Sequence, residues 1–265
     1  MIGIKIEQSR FMKFIQEYKG ATIEAIVYPL LIVALMWSVF LIDRSTEYEF
    51  YKFGILPQSF LGIKGILLMP FIHSQKDFSH IINNSIPTLI LLSTLIYFYR
   101  QIAFWVLFII WIFSGVLLWL FAENTGSYHI GMSAVIYGLF GFLFVSGFFR
   151  KYLPLQAISL FVVFIYGSFV WGIFPFEQGV SWEGHLFGFS VGIIMAFAFR
   201  KHGPVVPKYG YEIEKELGIE PPDLEGIWNE NRRIFQEQEN FNNQDKIQIN
   251  YEYKPNSIPE EKNNQ

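Results

Sequence analysis

Two side chains in this sequence have the types needed for nucleophilic catalysis. Ser133 lies in the segment Gly-Met-Ser-Ala, and His185 lies in the segment Gly-His-Leu-Phe-Gly. A serine hydroxyl becomes a nucleophile when an imidazole within about 3 Å accepts its proton. Such a pair attacks a carbonyl carbon and forms a covalent acyl intermediate. Each residue taken alone is more typical of packing, since serines in membrane helices usually bond to a carbonyl one turn earlier.

A second polar pair strengthens the catalytic interpretation. His80 and Asn84 are four residues apart, which places them on one face of a helix. Polar groups within apolar helices are costly and therefore mark candidate functional sites. Ser133, His185 and this pair belong to three different apolar segments and lie near the same end of each. That coincidence of depth predicts one shared site.

The elements that must position these residues are membrane-spanning helices. Hydrophobic residues make up 52% of the 265 residues and charged residues 16%, whereas soluble domains carry about 25% charged residues. A spanning helix needs roughly 20 mostly apolar residues. The sequence therefore predicts an all-α polytopic membrane protein with six spans, at about 23–42, 81–99, 102–121, 132–149, 153–174 and 184–199.

Three regions are predicted along the chain. Residues 1–20 form a cytoplasmic segment whose apolar spacing is typical either of a helix lying on the membrane surface or of an ordinary packed helix. Residues 21–200 form the six-span core, whose long first loop folds partly into the outer interface. Residues 201–265 form a polar, partly disordered tail in which Asp223 caps a short helix with a weak apolar stripe.

Charge predicts the orientation and excludes some functions. The short segments on one side of the six spans carry lysine and arginine, whereas the opposite short loops carry Glu123, Glu177 and Glu183 without Lys or Arg. Both termini are therefore predicted to be cytoplasmic, and the polar clusters to open to the external face of a cell membrane. The net charge of -3 does not suggest nucleic-acid binding. The absence of cysteine rules out thiolate nucleophiles and disulfides within the chain.

Small residues indicate how two of the spans meet. Gly188 and Gly192 share the helix face of His185, while Gly141 shares the face of Ser133. Small residues on facing helices allow the backbones to approach closely. We expect this approach to bring the hydroxyl and the imidazole together.

The segments G-M-S-A-V-I-Y-G-L-F-G, G-H-L-F-G-F-S-V-G and H-I-I-N-N resemble, in order, the signature segments of the rhomboid family of intramembrane serine proteases. The resemblance covers about residues 21–200. It implies a catalytic dyad of Ser133 and His185, with His80, Asn84 and the Ser133 backbone N–H binding the oxyanion. It further implies that Tyr137 packs on the imidazole and that Gly131 belongs to the nucleophile motif. The implied partners are transmembrane protein substrates and the lipid bilayer; no metal or cofactor is required.

The sequence departs from the family pattern in two places. A Trp-Arg pair common in the first loop of the family is absent, and Gly184 replaces a frequent alanine, a change expected to be harmless. Glu183 lies on a different helix face from His185, so no acidic residue is predicted to orient the imidazole. Phe174 and Phe176 are candidates for an apolar lid. The remaining outer histidines, His73 and His129, are expected to be structural.

Two other functions remain open at this stage. A catalytically inactive rhomboid-like protein could bind a client helix, although such relatives typically lack the serine or the histidine. A small transporter or channel could use the outer polar cluster as a solute site, but it would favour charged or broken helices near the midplane, which the spans lack.

Overall fold

A computed structural model describes residues 2–46, 48–76, 78–165, 171–176, 179–204, 210–219, 222–244 and 251–253. The chain divides into two compact units, Met1–Val206 and Pro207–Gln265. The α-helices of the described residues are α1 (Ile2–Ser45), α2 (Gly65–Leu68), α3 (Ser79–Tyr99), α4 (Ala103–Phe121), α5 (Ser133–Arg150), α6 (Leu153–Ile165), α7 (Trp182–Ala198), α8 (Gly210–Glu216) and α9 (Leu224–Gln244). Short 3₁₀ helices cover Phe50–Phe53, Phe60–Gly62, Met69–Phe71 and Trp171–Ile173.

Six apolar helices correspond to the predicted spans, which confirms the fold class. The segment Thr22–Ser45 of α1, together with α3, α4 and α5, is long and apolar enough to cross a membrane, while Leu153–Phe164 and Trp182–Ala198 are shorter apolar helices. Residues 166–170, within the predicted fifth span, lie outside the described residues.

The helix α1 continues without a break through the boundary predicted near residue 20. A single internal glycine such as Gly20 costs a helix only about 1 kcal/mol, so it does not end α1. The side chains on which the predicted surface orientation of residues 1–20 depends are not among those described.

The helices α3 and α5 form the centre of the first unit. Of their span residues, 56% and 61% are buried, compared with 22% in α1 and 28% in α4. The helix α5 contacts α3, α4, α6 and α7, and its most extensive contact is with α7. The two helices that carry the serine and the histidine therefore pack directly against each other.

The first loop packs against α4, whose side chains bond to its backbone. The indole N–H groups of Trp111 and Trp119 donate hydrogen bonds of 2.9 Å to the carbonyl oxygens of Ile66 and Ser59. These bonds satisfy backbone groups that water could not reach in a bilayer. The loop leaves Phe60, at 90% exposure, on the outside of the protein.

The second unit contains α8 and α9. The Asp223 carboxylate accepts a hydrogen bond of 2.8 Å from the backbone N–H of Gly226, so the predicted cap of α9 is present. The helix is 21 residues long and includes Asn-, Gln- and Glu-rich sequence that was expected to be irregular. The segments 245–250 and 254–265, where the prediction of disorder also falls, lie outside the described residues.

Candidate active site

Ser133 is the first residue of α5 and follows a tight turn. Gly131 has a φ of +109°, a conformation that glycine adopts without steric cost. Its N–H donates a hydrogen bond of 2.9 Å to the carbonyl of Met69, which ties the turn to the first loop. Ser133 thus lies at a helix N-terminus, where backbone N–H groups favour negative charge.

His185 lies in the first turns of α7 and contacts the serine directly. Its Nε2 is 2.8 Å from Ser133 Oγ, and its Nδ1 is 2.8 Å from the carbonyl oxygen of Gly172. A carbonyl oxygen can only accept, so Nδ1 carries the proton in the neutral ring. The lone pair of Nε2 therefore faces the serine hydroxyl, which donates to it. This is the tautomer that a general base needs.

The imidazole is further held by an aromatic ring. Tyr137 stacks on His185 with ring centroids 4.2 Å apart and an interplanar angle of 9°, in agreement with the packing implied by the family resemblance. Gly172 approaches so closely that a Cβ atom at this position would overlap the Tyr137 hydroxyl and lie 3.1 Å from His185 Nδ1. Glycine at position 172 therefore allows the carbonyl to reach the ring.

The predicted glycines bring the backbones of α5 and α7 together. A Cβ atom at Gly188 would overlap the Ala134 carbonyl, and one at Gly192 would overlap the Gly138 carbonyl. A Cβ atom at Gly141 would lie 2.8 Å from the carbonyl oxygen of Phe189 on α7. Helix axes normally pack 8–10 Å apart, depending on the contact side chains. Because the glycines between α5 and α7 carry no side chains, the two helices approach closely enough for Ser133 and His185 to be in contact.

His80 and Asn84 lie beside the turn that precedes the serine. The site that a Cβ atom of Gly131 would occupy is 2.7 Å from His80 Nε2 and 3.4 Å from Asn84 Nδ2. The backbone N–H of Ser74 donates to His80 Nδ1 at 3.3 Å, so Nε2 carries the proton of the neutral ring. Asn84 Nδ2 is buried and has no hydrogen-bond partner among the described residues. Two N–H donors therefore converge on the space beside the turn at Gly131.

The outer histidines that were not assigned to catalysis are both buried. His73 packs its ring edge-to-face against His80 at 5.0 Å between centroids. Burial, followed by the neighbouring His80, lowers the pKa of His73 to about 3. Burial also lowers the pKa of His129, while the Glu183 carboxylate acts in the opposite direction. Both side chains therefore belong to the interior of the outer loops and are neutral near neutral pH.

Aromatic side chains cover the segment that supplies the carbonyl to His185. The rings of Phe174 and Phe176 stack at 5.5 Å between centroids, and Trp171 contacts both. Phe176 is 71% exposed, so this cluster, which includes the predicted lid residues, presents an apolar surface next to the site. Residues 177 and 178 lie outside the described part of the loop.

The sequence did not predict the backbone partners of the two histidines. The Gly172 carbonyl orients His185, whereas Glu183 is buried and accepts a hydrogen bond of 3.2 Å from the backbone N–H of Glu123. The family resemblance and the glycine spacing carried no signal for a carbonyl in a distant loop. Among the described residues, no group of three or more His, Asp or Glu side chains is arranged to hold a metal ion.

The fold and the site together define a polytopic helical membrane protein with a serine–histidine pair at the first turns of two packed helices, α5 and α7. A family model described as Rhomboid domain matches residues 63–202. Uncharacterized proteins of Mycobacterium tuberculosis and Mycobacterium bovis are each 37% identical over 175 residues, which cover 62% of this chain and 71% of each relative. An uncharacterized protein of Mycobacterium leprae is 33% identical over 201 residues, covering 72% of this chain and 76% of the relative. The chain belongs to the rhomboid family.

Proposed function

We propose that this protein is an intramembrane serine endopeptidase with Ser133 as nucleophile and His185 as general base. The observation that carries the proposal is the bond of 2.8 Å between Ser133 Oγ and His185 Nε2, in a ring whose Nδ1 proton is held by the Gly172 carbonyl. That arrangement leaves the basic nitrogen facing the hydroxyl. A serine bonded only to its own helix backbone would not need such an orienting contact.

The proposed reaction uses two proton transfers at one nitrogen. His185 Nε2 takes the hydroxyl proton as Ser133 Oγ bonds to the substrate carbonyl carbon. The same nitrogen then protonates the leaving amine as the peptide bond breaks, which leaves an acyl-enzyme. Water next gives its proton to Nε2 and attacks the ester, and the returned proton regenerates the serine hydroxyl. The Gly172 carbonyl stabilises the imidazolium that forms twice in this cycle.

The developing oxyanion would be stabilised beside the turn at Gly131. The donors proposed for it are His80 Nε2–H, Asn84 Nδ2–H and the Ser133 backbone N–H. The unpartnered Asn84 amide and the Ser74 bond that keeps the proton on His80 Nε2 support this role. Such donors act on charge that appears only in the transition state, and the loss of one costs about 10²–10³ in rate in other hydrolases.

The substrates proposed are transmembrane segments of other proteins. The dyad lies at the first turns of α5 and α7, and His80 lies at the first turn of α3. The opposite ends of these helices carry Arg100, Arg150 and Arg200. By the positive-inside rule, these charges support an orientation with the dyad on the external side and both termini in the cytoplasm. A site at this depth can receive water from outside and a helix end from the bilayer.

The test uses the purified full chain in detergent and in liposomes, with a panel of single-span reporter substrates. We expect wild-type protein to cut a substrate within or next to its span, and Ser133→Ala and His185→Ala to abolish the cut. Ser190→Ala is the matched control, because the Ser190 hydroxyl on α7 donates only to its own helix, at the Leu186 carbonyl. Mass spectrometry identifies the cut bond.

The same experiment separates the proposed enzyme from an inactive relative. Cutting that persists in Ser133→Ala would contradict the dyad. Specific binding of a single-span protein by wild type, without cutting of any substrate in the panel, would favour a client-binding rhomboid-like protein instead.

A further inference from the structure

A second serine–histidine contact lies beside the first. His129 Nδ1 and Ser181 Oγ share a hydrogen bond of 2.6 Å. His129 is four residues before Ser133, and Ser181 is four residues before His185. His129 is only 7% exposed, so this bond is shielded from water. It joins the same two segments that the candidate dyad joins, four residues earlier in each.

Both ends of this contact are anchored to the protein. The backbone of His129 exchanges two hydrogen bonds with Ile55 of the first loop, at 2.8 Å and 3.0 Å. Ser181 is the N-cap residue of α7, and its carbonyl accepts a bond of 3.2 Å from the His185 N–H. A movement of Ser181 would therefore move the first turn of the helix that carries His185.

Ser181 does not use its hydroxyl in the usual way for this position. N-cap serines normally accept a bond from an N–H of the first helical turn, which stabilises a helix by about 1 kcal/mol. The Ser181 side chain makes no such bond, because it bonds to His129 instead. The Ser181 side chain therefore connects the start of α7 to the segment that precedes Ser133.

Gly184 provides the space that this contact needs. A Cβ atom at this position would lie 2.9 Å from Ser181 Oγ, whereas its next neighbour, Leu118 Cδ2, would be at an ordinary 3.4 Å. Alanine at position 184 would therefore press on the hydroxyl that bonds to His129. The departure from the family's frequent alanine, which the sequence suggested was harmless, is linked to Ser181 by this geometry.

We infer that His129 and Ser181 are positioning residues. Their hydrogen bond holds the start of α7 against the segment that precedes Ser133, and so keeps His185 Nε2 within hydrogen-bond distance of Ser133 Oγ. This inference rests on the proposed function. Terminal turns of helices fray, and α7 begins only three residues before His185. The hydrogen bond between His129 and Ser181 opposes that fraying. A net hydrogen bond of this kind is worth about 1 kcal/mol, so its loss is expected to lower kcat by about fivefold.

The experiment measures kcat, KM, the rate at which a fluorophosphonate probe labels Ser133, and the thermal unfolding midpoint of the full chain. For Ser181→Ala and His129→Leu we expect kcat and the labelling rate to fall together by about fivefold, with KM and the midpoint nearly unchanged. Ser181→Thr and His129→Asn keep a hydrogen-bonding group at each end and should recover most of the loss. Ser190→Ala is the matched control on the same helix.

A double-mutant cycle tests the geometry independently. Gly184→Ala alone should reduce kcat, because its methyl group displaces the Ser181 hydroxyl. In a Ser181→Ala background the same change should have no further effect, since the clashing atom is gone.

Three outcomes are decisive. Unchanged kcat and labelling in Ser181→Ala and His129→Leu, with an active wild type, refute this inference alone. A loss that Ser181→Thr does not recover and that follows a lowered unfolding midpoint shows a merely structural bond and also refutes it. Wild-type protein that neither cuts any substrate nor is labelled refutes the proposed function, and the inference falls with it.

Discussion

The close approach of α5 and α7 at Gly188 makes the proposed dyad sensitive to substitution at this position. In Gly188→Ala, the new Cβ atom would lie 2.8 Å from the Ala134 carbonyl carbon and 3.2 Å from its Cα, with the carbonyl oxygen closer still. Carbon atoms pack at about 3.5–4.0 Å, so the helices must separate by about 1 Å. Backbone atoms cannot rotate away as a flexible side chain could.

That separation would act directly on the dyad. Gly188 lies three residues after His185, so the imidazole moves with it, and the 2.8 Å contact with Ser133 opens beyond hydrogen-bond reach. A misplacement of about 1 Å can cost about 10²-fold in rate. Overpacking of this kind also costs about 1–3 kcal/mol of stability, so the unfolding midpoint should fall modestly.

The assay compares substrate cleavage and thermal unfolding of Gly188→Ala with those of wild type. Gly126→Ala is the control, because a Cβ atom at Gly126 meets only one atom within 4 Å, at 3.8 Å. We expect kcat about 10²-fold lower in Gly188→Ala and unchanged in Gly126→Ala. Wild-type cleavage by folded Gly188→Ala would refute the argument that glycine-mediated approach of the two helices sets the dyad.

Three further predictions concern the residues around the dyad. Asn84→Ala should lower kcat by about 10²-fold with little change in KM, because the Asn84 amide is proposed to act only in the transition state. Steady-state kinetics test this prediction. A raised KM with unchanged kcat would contradict it. Tyr137→Leu should lower kcat by about threefold to tenfold through loss of a stacking contact worth about 0.5–1.5 kcal/mol, whereas Tyr137→Phe should retain the stacking and most of the rate. The depressed pKa of His73 means that, as pH falls, this imidazole is protonated in the unfolded chain before it is protonated in the folded chain. The free energy of unfolding should therefore fall as pH drops from about 6.5 towards 3. The slope should be at most about 1.4 kcal/mol per pH unit. His73→Leu should show a shallower fall in thermal unfolding scans over the same range, and an equal slope would contradict the assignment.

Much of the site could be predicted because its signals are side chains at helical spacing. The glycines of α5 and α7 share the helix faces of Ser133 and His185. In the structure these glycines lie where the backbones of the two helices are in close contact. The six apolar segments were readable for the same reason, since the bilayer demands long apolar runs. Periodicity along one helix is the information that a single sequence carries best.

The parts that were missed depend on backbone groups and on contacts between distant loops. The Gly172 carbonyl and the Ser74 N–H fix the proton positions of His185 and His80, yet every residue type carries such groups. The His129–Ser181 bond joins residues 52 positions apart that lie outside the regular helices on either side. The length of α9 was underestimated because polar residues such as Asn and Gln are only mildly unfavourable in a helix.

The central claim is tested most directly by covalent labelling of Ser133, which requires no knowledge of the substrate. The full-length protein in detergent would be treated with a fluorophosphonate probe, and the modified residue would be identified by mass spectrometry. We expect labelling at Ser133 that is lost in Ser133→Ala, strongly reduced in folded His185→Ala and retained in Ser190→Ala. Labelling at another residue, or labelling of Ser133 at the wild-type rate in His185→Ala, would contradict the assignment of the dyad.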